Sequence, residues 1–118
     1  IAELVSGKLK DVRAEHVGEA CRQGDTLARE LLEETADLLA VWLGNIVDLL
    51  EPEVFIFGGG VSEMLGDFLA RIRQGVPRWS INPRAGEIPL VPARYGTESG
   101  IAGAAALILA QREVRPSA

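Results

Sequence analysis

With a single cysteine and a single histidine in 118 residues, the chain has little to offer a metal or a thiol chemistry. Cys21 has no partner for an internal disulfide, and with His16 it makes no cluster at metal-ligand spacing, so no metal site is expected on these residues. Positive charge is also short, with 12 Lys and Arg against 17 Asp and Glu for a formal net charge of −5. That balance repels a phosphate backbone, and no Lys/Arg cluster interrupts it, so this piece is not expected to bind nucleic acid. Long hydrophobic runs are missing as well. The most apolar stretch, Leu38 to Leu50, is broken by Asn45 and Asp48 and falls short of the roughly 20 residues a membrane span requires. The lone cysteine fits a cytoplasmic setting, and the chain opens Ile-Ala-Glu-Leu, without an initiator Met and without a basic-then-apolar signal, which leads us to expect a piece of a longer reading frame. Finally, no Ser/His/Asp set or positioned base is discernible, so no catalytic residue is expected here.

What is present is a hydrophobic fraction of 47%, enough for one modest globular core. Ala14, Val17, Ala20 and Cys21 recur at helical spacing and predict a short surface helix from Ala14 to Arg22, stopped by Gly24. His16 and Cys21 are then a solvated and a half-buried helix side chain. Asp25 can cap a long helix from Thr26 to Leu50, which Pro52 must end. Its first half alternates Leu27, Leu31 and Leu32 with Arg29, Glu33 and Glu34; its second half is apolar nearly all round and is expected to be buried on more than one side. Glu33, Glu34 and Asp37 form a charged helical face rather than a catalytic carboxylate pair.

The continuous run Val54-Phe55-Ile56-Phe57 predicts a central strand covered on both faces. Gly58-Gly59-Gly60 ends it. Ser62 is expected to cap a helix starting near Glu63, whose apolar stripe is Met64, Leu65, Phe68, Leu69 and Ile72 and whose end is Gly75 with Pro77. Pro77 to Glu87 is expected to be a loop anchored by Trp79. Ile88 to Ala93 is expected to be an edge strand, because Pro89 and Pro92 lack N–H groups. A last helix runs from Ser99 to Gln111, before a frayed tail over residues 113–118. Gly96, Gly100 and Gly103 share one of its faces if it starts early.

Only the strand that runs into Gly58, Gly59, Gly60, Val61 and Ser62 has a physical link to chemistry. Bare backbone lets a base, a ribose or a phosphate lie close, and a following helix offers unpaired N–H groups. The spacing matches neither the G-x-G-x-x-G fingerprint nor a Walker A loop, so nucleotide contact and a plain tight turn both stay open on these residues alone.

Three segments taken in order, Gly24-Asp25, Leu50 through Ser62, and Gly96-Thr97-Glu98-Ser99-Gly100-Ile101-Ala102-Gly103-Ala104-Ala105, resemble the C-terminal part of the ROK family of repressors and sugar kinases. The resemblance implies an α/β fold, part of an actin-like (ribonuclease-H-like) ATPase domain with helices packed on a small sheet. It implies that residues 1–118 are a fragment of the second, nucleotide-side domain, inactive alone. Gly58 to Ser62 would then belong to the adenosine-side motif of an ATP-dependent glucose or hexose kinase. ATP with Mg²⁺ serves the parent, the sugar binds through other parts of it, and a homodimer is expected. The family's phosphate-binding, catalytic, sugar-binding and zinc-binding motifs precede the matched region, so zinc is possible in the parent but has no ligands here. The alternative function is the ligand-sensing domain of a sugar-responsive repressor, whose DNA contacts would lie elsewhere. Thr26 and Tyr95 depart from the common pattern, where proline and leucine are frequent.

Overall fold

The structure is a computed structural model that describes residues 1–113, apart from the side chains at 61, 63, 97 and 111–113. The expected tail lies, from residue 114 onward, outside the described residues. Two 3-10 turns, Ala2–Val5 and Leu9–Asp11, lead into α1 (Ala14–Arg22) and α2 (Thr26–Leu50). Both helices have the predicted limits, and local chemistry explains why. Gly24 sits at φ 87°, a left-handed conformation that stops α1 at little steric cost. Asp25 Oδ1 then accepts the Ala28 N–H at 2.9 Å and caps α2. At the far end Glu51 itself adopts φ 46°, its N–H bonded to the Val47 carbonyl, before Pro52 closes the helix. His16 does more than face solvent: its Nδ1 accepts the Arg13 N–H at 3.0 Å and satisfies a donor at the entry to α1.

Beyond α2 come β1 (Phe55–Phe57), α3 (Gly60–Met64), α4 (Leu69–Gly75), β2 (Leu90–Pro92) and α5 (Ser99–Glu113). β1 and β2 pair in parallel with Phe55 beside Leu90, Ile56 beside Val91 and Phe57 beside Pro92. The Phe55 N–H donates to the Pro89 carbonyl, and the Ala93 N–H to the Phe57 carbonyl, both at 2.8 Å. Alternation along β2 therefore turns Leu90 and Pro92 away from β1, so the missing N–H of Pro92 costs the ladder nothing. On that outer edge the Arg73 guanidinium donates to the Leu90 carbonyl at 2.9 Å.

One core cluster joins the layers. Ala36, Ala40, Leu43 and Val47 of α2 meet Ile72, Val76, Ala85 and Leu90, with Phe55, Phe57, Phe68 and Leu69 packed around them. Each fully buried Val or Ile here contributes about 1.5–3 kcal/mol relative to exposure. Small residues bring α2 unusually close to its neighbours. A Cβ on Gly75 would stand 2.6 Å from the Ala40 Cβ, and one on Gly44 only 2.7 Å from the Trp79 carbonyl oxygen. The Trp79 loop is thus anchored through its backbone, within a 3-10 turn spanning Val76–Trp79.

Three expectations need correction. First, β1 is covered on one face only: Phe55 and Phe57 reach the core, while Ile56 and its neighbour Val91 are exposed, since no second layer packs there among the described residues. Second, the apolar half of α2 is buried on one side, and Leu38, Trp42, Leu49 and Leu50 stand in the open. Third, the helix expected from Glu63 to Gly75 is two helices. Gly66, a weak helix former, opens a 3-10 turn (Gly66–Phe68) between α3 and α4, and Leu65 and Ile72 on either side of it are both fully buried. α5 begins at Ser99 as expected, so Gly96, at φ 51°, precedes it and the early start that would set Gly96, Gly100 and Gly103 on one helical face does not occur.

Candidate functional site

The two parallel strands end on the same edge, and each carboxyl end runs through a glycine turn into a helix. After β1, Gly58 lies so close to β2 that an added Cβ would be 2.8 Å from the Ala93 Cβ. Its bareness serves the strand pair. Gly59 takes φ 92°, where any other residue would be strained, and Gly60 opens α3 with no neighbouring atom within 4 Å of the place a Cβ would occupy. The three glycines therefore have separate tasks: close approach, reversal and open surface. The Val61 side chain lies outside the described residues, although its backbone is part of α3.

Ser62 is not the cap expected of it. Because α3 starts at Gly60, two residues before the serine, Ser62 lies inside the first turn, and its hydroxyl donates to the Gly59 carbonyl at 2.6 Å. That bond, with the Ser62 N–H to the same oxygen at 3.1 Å, fixes the shape of the glycine turn. A matching device follows β2. Gly96 again has positive φ, and the Ser99 hydroxyl donates to the Gly96 carbonyl at 2.8 Å. The 3-10 turn Gly96–Glu98 packs beside α3, so both glycine turns line one rim. The repeated Gly-x-x-Ser, at 59–62 and 96–99, is the signal in the sequence for this second turn.

Ligands of open parallel sheets bind outside the carboxyl ends of the strands, where helix-opening N–H groups face the crevice. The rim made by Gly59, Gly60 and Gly96 has that position. Among the described residues no group of three or more His, Cys, Asp or Glu side chains is placed to hold a metal ion.

The charged residues serve the scaffold. Arg71 of α4 grips Asp37 of α2 in two bonds, at 2.7 and 2.8 Å, and also lies 3.7 Å from Glu33. The Arg71 hydrogen bond holds the Asp37 carboxyl below its ordinary range, and the same bond raises Arg71. Asp48 accepts from the Ser80 hydroxyl and from the Ile81 and Asn82 N–H groups, with the Ser80 bond the main cause of its lowered pKa. Three surface cavities lie away from the glycine rim. One of about 650 Å³ is walled by Glu34, Leu38, Val41 and Trp79, one of about 710 Å³ by Met64, Phe68 and Arg29, and one of about 480 Å³ by Pro52, Asn82 and Pro89.

Comparison with known proteins places this geometry in context. The family model described as ROK family matches residues 1–111. N-acetyl-D-glucosamine kinase of Escherichia coli O9:H4 (strain HS) is 39% identical over 87 residues, 74% of this chain and 28% of that protein. The kinase of the same name from Pasteurella multocida (strain Pm70) is 34% identical over 90 residues, 75% of this chain and 28% of its own length. The chain therefore spans little more than a quarter of the curated relatives it matches. A ROK family glucokinase from Streptomyces griseus, solved with glucose and AMPPNP, superposes with a TM-score of 0.77 at 33% identity, over 90% of this chain and 34% of that one. A solved structure from Cytophaga hutchinsonii shares the fold at a TM-score of 0.69 and 21% identity, over 84% of this chain and 33% of its own. The expected architecture, helices packed on a small sheet within an actin-like ATPase fold, is the one observed, and the sheet is parallel. From a family model that spans nearly the whole chain and a fold shared with a ROK glucokinase, it follows that this chain belongs to the ROK family.

Proposed function

We propose that this chain is the nucleotide-side portion of an ATP-dependent sugar kinase, and that the Gly58–Ser62 turn receives the adenosine end of ATP. The observation that carries the reading is the open backbone of Gly59 and Gly60 on the carboxyl rim of the parallel pair. Support comes from the Streptomyces griseus glucokinase, whose complex holds glucose and AMPPNP and whose fold covers 90% of this chain. In-line phosphoryl transfer needs a base at the sugar hydroxyl and a metal with donors at the phosphates. In this reading Mg²⁺ with ATP, the base and the sugar site belong to the remainder of the parent protein, and zinc, should the parent hold it, finds no group of three or more His, Cys, Asp or Glu among the described residues. The isolated chain, having one rim of the cleft, transfers no phosphate and binds ATP weakly.

The test is ADP release by the full-length protein with glucose and N-acetylglucosamine, alongside Gly60→Ala. A methyl at Gly60 meets no protein atom, so thermal stability should hold while KM for ATP rises at least about ten-fold. Unchanged kinetics for Gly60→Ala would remove this turn from the nucleotide site. Absence of sugar-dependent ADP release would favour a ligand-sensing repressor instead.

A further inference from the structure

The carboxyl ends of β1 and β2 are closed by one device, used twice. At each, a glycine in the left-handed region, Gly59 at φ 92° and Gly96 at φ 51°, precedes a serine by one 3-10 step. Each serine gives two hydrogen bonds to its glycine carbonyl. The Ser62 hydroxyl and N–H reach the Gly59 oxygen at 2.6 and 3.1 Å. The Ser99 hydroxyl reaches the Gly96 oxygen at 2.8 Å, and the Ser99 N–H donates to the same atom. Both serines are half-buried, and the turn Gly96–Glu98 packs against α3, so the two carbonyls lie in adjoining turns of one rim.

A backbone bond alone closes a turn of this kind. Alanine at either position would keep that N–H bond, and alanine is the better helix former. The hydroxyls therefore add something other than the turn itself. A carbonyl oxygen has two lone pairs, and at Gly59 and Gly96 one is met by an N–H and the other by an O–H. With its acceptors answered from within the chain, the rim shows bare glycine backbone to the crevice. Ligand oxygens or the face of a base can then come close without meeting an unanswered carbonyl dipole.

We propose that Ser62 and Ser99 are paired positioning residues for the nucleotide, each hydroxyl pinning and neutralising one rim carbonyl so that the two turns are held as a single rigid edge. The proposal rests on the reading of Gly58–Ser62 as the turn that receives the adenosine end of ATP. Neither serine has a part in phosphoryl transfer. Loss of either hydroxyl leaves the turn closed by its N–H, loosens it, and bares a lone pair toward the ligand, so the effect falls on nucleotide binding.

The experiment measures kcat and KM of the full-length protein, varying ATP at saturating sugar and then glucose or N-acetylglucosamine at saturating ATP. Ser62→Ala and Ser99→Ala should each raise KM for ATP about five-fold, the scale of one net hydrogen bond, with kcat and the sugar KM within about two-fold of wild type. Ser62→Thr and Ser99→Thr keep the hydroxyl and should restore the wild-type KM. Should an alanine variant fail to fold, Ser62→Cys or Ser99→Cys decides, since a thiol is a weak donor of similar size and should raise KM in the same sense. Serines that only support the fold would lower the melting temperature and leave KM for ATP unchanged. That result, a fall in kcat at constant KM, or equal losses in the alanine and threonine variants would overturn the proposal. Gly60→Ala separates the two readings: if it raises KM for ATP while both alanine variants leave it alone, the positioning role falls and the nucleotide turn stands. If Gly60→Ala is also without effect, or the full-length protein releases no sugar-dependent ADP, the nucleotide reading fails and takes the proposal with it.

Discussion

Replacing Gly44 by alanine sets helix propensity against packing, and the structure says which prevails. In an isolated helix the change stabilises by about 1 kcal/mol, since alanine restricts the unfolded chain and shields the helix. Here the new Cβ would stand 2.7 Å from the Trp79 carbonyl oxygen, 2.8 Å from its carbon and 2.9 Å from the Trp79 Cβ. Carbon–oxygen contacts normally close at about 3.3 Å, so the Trp79 backbone must retreat by roughly half an ångström. It has little room to do so. The next three residues, Ser80, Ile81 and Asn82, are held by Asp48, one turn further along the same helix. Overpacking of this kind costs about 1–3 kcal/mol, at the upper end where backbone rather than side chain must move, which leaves a net loss of about 1–2 kcal/mol. Urea unfolding followed by Trp79 and Trp42 fluorescence should show the midpoint fall by about 1 M. Gly18→Ala is the comparison, because the nearest atoms to its Cβ belong to the Met64 side chain rather than to backbone, so the midpoint should fall by less than for Gly44→Ala. A midpoint for Gly44→Ala equal to or above that of wild type would refute the packing argument.

Glu51 ends α2 in the left-handed region at φ 46°, so Glu51→Gly should raise stability by roughly 0.5–1 kcal/mol in the same urea titration. The Asp48 carboxyl is held below its ordinary value of 3.8 by the Ser80 hydroxyl and two backbone N–H groups, and a depressed acid contributes stability that is complete above that value. As pH falls through the lower folded pKa this contribution disappears. Asp48→Asn should therefore be less stable than wild type at pH 7 and should show a flatter decline below pH 4, measured by thermal melts across the acid range. Gly59→Ala should cost about 1–2 kcal/mol through backbone strain at φ 92°, in contrast to the silent Gly60→Ala, as differential scanning calorimetry would show.

Where a residue's effect is local, the sequence carries the answer to the residue. Gly24, Asp25 and Pro52 each act through their own backbone or the next turn, and α1 and α2 have the predicted limits. The final strand is also legible, because a missing N–H restricts proline wherever it falls. The errors concern what the chain packs against. Val54 to Phe57 predicts cover on both faces from apolarity alone, yet apolarity records the need for cover and not its source. The break at Gly66 leaves no mark on the pattern, since the apolar stripe continues unbroken across it; Leu65 and Ile72, a heptad apart, satisfy both one helix and two. At the site, the glycines are visible in the sequence and their differences are not. That Gly58 is bare for the strand pair depends on Ala93, far downstream on the neighbouring strand's end, whereas Gly59 is distinguished by its φ of 92° and Gly60 by open surroundings.

Arg73 and Pro92 give the sheet a direction. One outward group on β2 is already occupied by a guanidinium, and another has no hydrogen to offer, so that margin is a poor template for an additional strand. Addition beside β1 meets neither obstacle, so growth of the sheet is favoured on that side. A second copy approaching the β2 margin would have to displace the Arg73 guanidinium and would find no N–H at Pro92, so a single arginine and a single proline make that edge the poorer template.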